Sequence, residues 1–314
     1  MEEWAKTIKG TDAGVKSCDW YHGTWQFPRL LNRVAVPSWY EFYNHALSAV
    51  LRRKLTAKVL ISACADYGML ATLHDAIRTA NANPRITVYD ICLTSLAACE
   101  WYVGRFGLEI ECFCDNILTS DSMPFGTFDL IVTDEFLTVL KQEYKPMTTE
   151  RWLKLLAPGG TVVTTAMISS TTTPELRRGY AERSRQLLET DDSYLTRTGT
   201  PIEDLVDRFE QFAEFHTRHM LTDEQDVRTL FSKYNIEFLK AIPTPGECVN
   251  PTNSFQIVAT RPNNSWWKCG RDECGTAEKH YRITPSGAST LAFQTGLAPD
   301  LRNRREEEYG DGRC

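Results

Sequence analysis

Between residues 38 and 168 of this 314-residue chain, apolar positions fall into a regular alternation of helical stripes and short β-type runs. Trp39, Phe42, Tyr43, Ala46 and Val50 recur at helical spacing, which predicts an amphipathic helix near 38–54 opened by a Ser38/Glu41 capping box. An apolar run at Lys58–Ser62 then breaks into Ala63, Ala65, Asp66 and Gly68 before the chain turns helical again. Further strand-like runs follow at Ile86–Asp90, Leu108–Cys114, Phe128–Thr133 and Thr161–Ala166, the last after a Leu155–Gly160 turn rich in proline and glycine. Helical stripes separate them. One carries Leu70, Leu73, Ala76 and Ile77 and ends near Asn81–Pro84. The next carries Leu96, Cys99, Val103 and Phe106 and stops at Gly107, and a third covers Thr148–Leu156 with Trp152 and Leu155 inward. Strands separated by helices predict a parallel sheet with right-handed crossovers.

Past residue 168 the alternation is interrupted. Residues 169–221 hold two helical patterns, one starting at Thr173–Glu175 with Pro174 in its first turn, the other striped by Ile202, Leu205, Val206, Phe209 and Phe212. Thr222–Gln225 is expected to cap a further helix bearing Val227, Leu230, Phe231 and Tyr234. Two β-rich runs, Ile236–Ile242 and Ser254–Thr260, come next. The expected organisation is an N-terminal extension and helical cap (1–54), a core (55–168), a helical insertion forming a lid (169–221), the remainder of the sheet (222–262) and a C-terminal extension, partly mobile (263–314).

The order of these motifs, with acids closing successive strands and Leu155–Gly160 ahead of the fifth, resembles the class I S-adenosylmethionine (SAM) dependent methyltransferases over residues 55–168. The resemblance implies an α/β, Rossmann-like seven-stranded sheet. Its strands would be mostly parallel with a terminal antiparallel hairpin, and helices would cover both faces. It also implies SAM as cofactor and transfer of a methyl group, to oxygen or nitrogen of a small molecule of specialised metabolism. A SAM-consuming cyclisation or aminocarboxypropyl transfer, with methylthioadenosine as product, and a non-catalytic SAM-fold binding protein are the alternatives.

Composition narrows the partners. The formal net charge of −6 gives no reason to expect nucleic acid or an anionic membrane surface. No apolar stretch approaches the roughly 20 residues that cross a bilayer. The N-terminus lacks the basic and apolar regions of a signal peptide, so the ten cysteines are expected reduced, in cytoplasm. Cys269, Cys274 and His280 match no common zinc spacing, and no metal is expected. A homodimer is possible on sequence grounds.

Within the resemblance each part of SAM asks for a different partner. Asp90, at a strand end, can accept hydrogen bonds from the ribose diol, with Ile91 beside it. Asp115, Asn116 and Ile117 match the family's adenine corner. Ser62, Ala63, Ala65, Asp66 and Gly68 surround the methionine end, although Ala63 and Ala65 stand where the family usually has glycine and Ile61 where it often has an acid. Alanine lacks easy access to positive φ, so this loop is expected to take a different path. Asp134 and Phe136 lie where the sulfonium is expected, Phe136 as a cation–π partner. Base candidates are His22, His45, Glu135, His216 and His219, with Tyr21, Tyr67 and Tyr180 as orienting groups; of these Glu135, at a strand end beside the cofactor, and Tyr180 are the catalytic residues expected. The Ala63-x-Ala65-x-x-Gly68 spacing leaves a dinucleotide such as NAD as a competing ligand.

Overall fold

The computed structural model describes residues 21–22, 24, 39–120, 122–168, 173–190, 199–215, 218–243, 253–263 and 281–283. Helix α1 (Tyr40–Arg53) leads into β1 (Lys58–Ser62), α2 (Gly68–Ala80), β2 (Arg85–Asp90), α3 (Leu93–Phe106) and β3 (Ile110–Cys114). Then come β4 (Phe128–Val132), α4 (Phe136–Val139), α5 (Tyr144–Leu155) and β5 (Leu156–Ile168). The chain continues through α6 (Pro174–Glu189), α7 (Ile202–Phe215), α8 (Glu224–Leu230), β6 (Asn235–Pro243), β7 (Asn253–Thr260) and β8 (Tyr281–Ile283). The strands form one sheet in the order β6-β7-β5-β4-β1-β2-β3-β8.

Neighbouring strands among β1 to β5 pair in parallel, and β7 pairs antiparallel with both β5 and β6. This is the Rossmann-like arrangement with a terminal antiparallel pair that the resemblance implies. An eighth, three-residue strand is added to it: β8 runs antiparallel along the outer edge of β3, pairing Ile110 with Ile283 and Cys112 with Tyr281.

The central strands β1, β2 and β4 are buried on both faces, which is why they read as nearly unbroken apolar runs, whereas β6 at the edge is largely exposed. Val59 and Ile61 of β1 pack with Leu47, Leu73 and Val103 of α1, α2 and α3. Leu60, pointing the other way, joins Trp152, Val227 and Phe231 on the face covered by α5 and α8. A separate cluster of Leu188, Leu205, Val206 and Phe209 joins α6 to α7, and the Arg185–Glu210 ion pair bridges them at the surface.

Several boundaries shift from the sequence expectation for local reasons. Strand β5 begins at Leu156, so the Leu155–Gly160 segment is a bulged start of the strand rather than a turn before it. Pairing jumps from Phe128–Leu156 to Leu130–Thr161. Gly159 adopts φ +75, and a Cβ on Gly160 would stand 2.8 Å from the Phe128 carbonyl oxygen, so both glycines are needed there. Helix α5 starts one turn earlier than expected. Helix α8 is capped by Asp223, whose carboxylate accepts the Asp226 N–H at 3.0 Å, while Asp226 accepts the Thr222 N–H at 2.8 Å. Trp39 precedes α1 without a side-chain cap, and Ser38, the expected cap, lies outside the described residues. The helix ends obey the backbone rules: Asn81 and Gly107 close α2 and α3 in the left-handed region.

Candidate active site

The carboxyl ends of β1, β2, β3 and β4 lie side by side, and the acids predicted there are brought together. Asp90 is buried at the tip of β2. Its two carboxylate oxygens accept the Cys64 N–H at 2.8 Å and the Cys92 N–H at 2.7 Å, so it ties the loop after β1 to the start of α3. Burial pushes its pKa up to about 7 against the pull of those two backbone bonds. Asp66 is also buried; its carboxylate accepts the N–H of Gly68, the first residue of α2, at 2.6 Å.

The loop between them does not take the path expected of alanine. Ala63 adopts φ +66, the left-handed conformation normally left to glycine, and donates its N–H to the Tyr89 carbonyl at 2.8 Å. The surrounding bonds impose this geometry on a residue that resists it. Ser62 is fully buried and its hydroxyl accepts the Trp152 indole N–H at 3.0 Å, a bond that satisfies a buried indole. Ala65 and Ile91 are half-buried at the loop surface.

At the tip of β3, Asp115 is exposed. Its N–H meets the Asp90 carbonyl at 3.1 Å and its carboxylate accepts the Asn116 N–H at 2.7 Å. The Asn116 side chain accepts the Leu118 N–H at 3.0 Å, and Ile117 is buried against the core.

At the tip of β4, the half-buried Asp134 accepts hydrogen bonds from Tyr43 at 3.0 Å and from Thr165 at 2.9 Å, which joins α1 and β5 at one carboxylate. Glu135 follows at φ +55. Its carboxylate takes hydroxyl bonds from Thr138 at 2.7 Å and Ser254 at 2.9 Å. Burial first, then the neighbouring Asp134 charge, raise its pKa to about 7. Phe136 is half-buried with its ring 6.3 Å from that of Trp152, in contact with the core. Tyr180 falls on α6, but its side chain lies outside the described residues, as do Cys269, Cys274, His280 and His216. Among the described residues no group of side chains could hold a metal ion.

The N-terminal segment reaches this same place. The half-buried Tyr21 ring stacks on Phe212 of α7 at 5.8 Å. Loss of solvent raises its phenol pKa strongly. The charges of Asp66, Asp90 and Asp134 add to the rise, and the Arg218 guanidinium works against it. One phenol therefore stands within the fields of three carboxylates from three strand tips. Thr24 donates to the Arg208 carbonyl of α7 at 3.3 Å, and His22 is buried with its Nε2 3.3 Å from the Cys92 sulfur.

Lys145 is a residue that sequence reasoning passed over. It is 1% exposed, and its ammonium donates to the carbonyls of Leu137, Leu140 and His219, pinning the chain that returns from the insertion to α4. Burial lowers its pKa to about 8. The available signal was its place on the inward stripe of α5, one turn ahead of Thr148 and Thr149 and two ahead of Trp152.

No protein-family model matches the chain, and no curated protein sequence matches it. Among solved structures it is similar to the N-methyltransferase NodS of Bradyrhizobium japonicum in complex with S-adenosyl-L-homocysteine. That likeness has 16% identity, 77% of this chain and 98% of that one covered, and a TM-score of 0.48. A SAM-dependent methyltransferase of Methanosarcina mazei is similar at 16% identity, over 67% of this chain and 94% of that one, with a TM-score of 0.45. A Rhodobacter sphaeroides protein, described by its authors as a zinc-dependent alcohol dehydrogenase, is similar at 13% identity, over 77% and 98%, with a TM-score of 0.45. These likenesses lie in the fold and assign no activity.

Proposed function

We propose that the chain binds SAM at the carboxyl edge of its sheet and transfers the methyl group to a nucleophilic oxygen or nitrogen of a small molecule. The observation that carries this reading is the placement of Asp66, Asp90 and Asp134 at the carboxyl ends of the adjacent strands β1, β2 and β4, with Asp66 and Asp90 buried. A cationic sulfonium and an ammonium group suit such a ring of acids, and a half-buried phenylalanine beside it suits the cation as well.

The same ring argues against a dinucleotide. A pyrophosphate needs the free amides at the start of α2, and the Gly68 N–H is already bonded by the Asp66 carboxylate. Two like charges about 4 Å apart repel by about 4 kcal/mol at an intermediate effective dielectric. The loop thus supplies its own anion where NAD would have to bring one.

The residues present fit SAM part by part. Asp90 would accept from the ribose. Ile91, Asp115, Asn116 and Ile117 would frame the adenine. Ala63, Ala65, Asp66 and Gly68 would hold the methionine end, with Ser62 beneath them, and Asp134 and Phe136 would face the sulfonium. SAM supplies an already activated methyl group, so the protein's tasks are alignment, exclusion of water and proton handling. Tyr21 and Thr24 are tied to α7, and His22 to the turn after β2; a wall of this kind beside the strand tips would favour a small acceptor over a polymer. Glu135, just past β4 with its carboxylate held by Thr138 and Ser254, would take the acceptor's proton in this reading.

Product analysis tests the reading. S-adenosylhomocysteine formed only when an acceptor is supplied supports it, whereas methylthioadenosine formed from SAM alone would point to cyclisation or aminocarboxypropyl transfer. By calorimetry, Asp90→Ala should weaken SAM binding at least tenfold; unchanged affinity would remove the ribose assignment.

A further inference from the structure

Residue 22 lies outside the strand-tip motifs that the SAM reading uses, yet its imidazole occupies the same site. His22 is 5% exposed, and its buried Nδ1 has no hydrogen-bond partner among the described residues. Its Nε2 is 3.3 Å from the Cys92 sulfur, and the Tyr21 ring meets it edge-on at 5.1 Å. Cys92 is also the residue whose backbone N–H binds Asp90, so imidazole and carboxylate flank the same short turn at the end of β2. The ring is thus met by a sulfur and an aromatic edge, its Nδ1 keeps bonding capacity, and Cys92 links it to the acid assigned to the ribose.

We propose that His22 is a second ribose ligand of this site, its Nδ1 bonding one ribose hydroxyl while Asp90 serves the other. This rests on the SAM reading given above and deepens it, because it makes Tyr21 and His22 part of the cofactor site. A hydroxyl both donates and accepts, so it satisfies Nδ1 in either tautomer, whichever of the Cys92 sulfur and Nε2 carries the shared proton. A buried polar atom without a partner is costly, and a ligand that supplies the partner gains that difference on binding. Because Tyr21 and Thr24 contact α7, ordering of this wall and placement of the insertion helix go together.

The test uses the full chain, S-adenosylhomocysteine and its 2′-deoxy and 3′-deoxy analogues, with affinities measured by calorimetry. His22→Gln keeps a polar atom near the Nε2 position and loses the one at Nδ1; His22→Asn does the reverse. We expect His22→Gln to weaken S-adenosylhomocysteine binding by about three- to tenfold, the range of one hydrogen bond, and His22→Asn to stay within about twofold of the parent. With the analogue lacking the contacted hydroxyl, His22→Gln and the parent should bind alike. Equal losses in both variants, undiminished on both deoxy analogues, would make His22 a packing residue and overturn the proposal. Full affinity in His22→Gln, alongside a loss in Asp90→Ala, would overturn it and leave the SAM reading standing. A parent that binds neither S-adenosylhomocysteine nor SAM would remove both.

Discussion

Replacing Ala63 with glycine should stabilise the protein, the reverse of what this substitution does at most positions. Ala63 holds φ +66, fixed by its own N–H on the Tyr89 carbonyl and by the next N–H, of Cys64, on Asp90. An L-residue in this region carries about 1–2 kcal/mol of steric cost, which glycine escapes. Glycine in turn adds about 0.4–1 kcal/mol of conformational freedom to the unfolded chain. The difference is a net gain of about 0.5–1 kcal/mol, and all the hydrogen bonds that hold the turn come from backbone atoms and the Asp90 carboxylate, so none is lost. Equilibrium urea unfolding reads it as a raised midpoint with an unchanged slope. Ala63→Val, with a branched Cβ at the same φ, should move the midpoint the other way. A loss of about 0.5–1 kcal/mol in Ala63→Gly, the ordinary outcome where φ is negative, would refute the left-handed geometry and with it the path of the loop over the site.

Two further substitutions probe the surroundings. Lys145→Met leaves the carbonyls of Leu137, Leu140 and His219 without their shared donor; it should cost about 2–4 kcal/mol after relief of the ammonium's burial, and trypsin should cut faster at the now buried Arg218. Unchanged urea midpoint and cleavage rate would count against the pinning role. Glu135→Gln bears on pH. The Glu135 carboxyl is raised from 4.5 to about 7, so the folded protein keeps a proton that the unfolded chain releases. Its contribution is fully present below pH 4.5 and is lost as the pH climbs to about 7. The variant should therefore lose less stability than the parent between pH 4.5 and 7, and parallel midpoint curves across that range would contradict the shift.

Much of the fold was legible because the core strands are buried on both faces and each helix between them keeps one apolar stripe. The acids at Asp90, Asp115 and Asp134 could be placed at one sheet edge by counting strands alone. What escaped were features whose signal is not periodic. Three residues, Tyr281–Ile283, are too few to announce a strand, and β8 depends on an open edge of β3 to exist. A lysine such as Lys145 reads as solvated until three carbonyls are found around it. Ala63 shows the limit from the other side: alanine's local preference was judged correctly, and tertiary hydrogen bonds overrode it. Tyr21 and His22 were candidates among several histidines and tyrosines, and since their aromatic stretch has no repeat, nothing local marked them out from the others.

Strand β8 has a consequence for how the chain can be shortened. Trimming the C-terminal extension at residue 263 would keep the seven longer strands while leaving Ile110, Glu111 and Cys112 with unsatisfied ladder groups on a rim that Arg282 and its neighbours now occupy. Such a bare border invites sticking to another copy of itself. A truncated protein prepared for crystallisation or assay would then be troubled by self-association arising from the cut, which could pass for native quaternary structure.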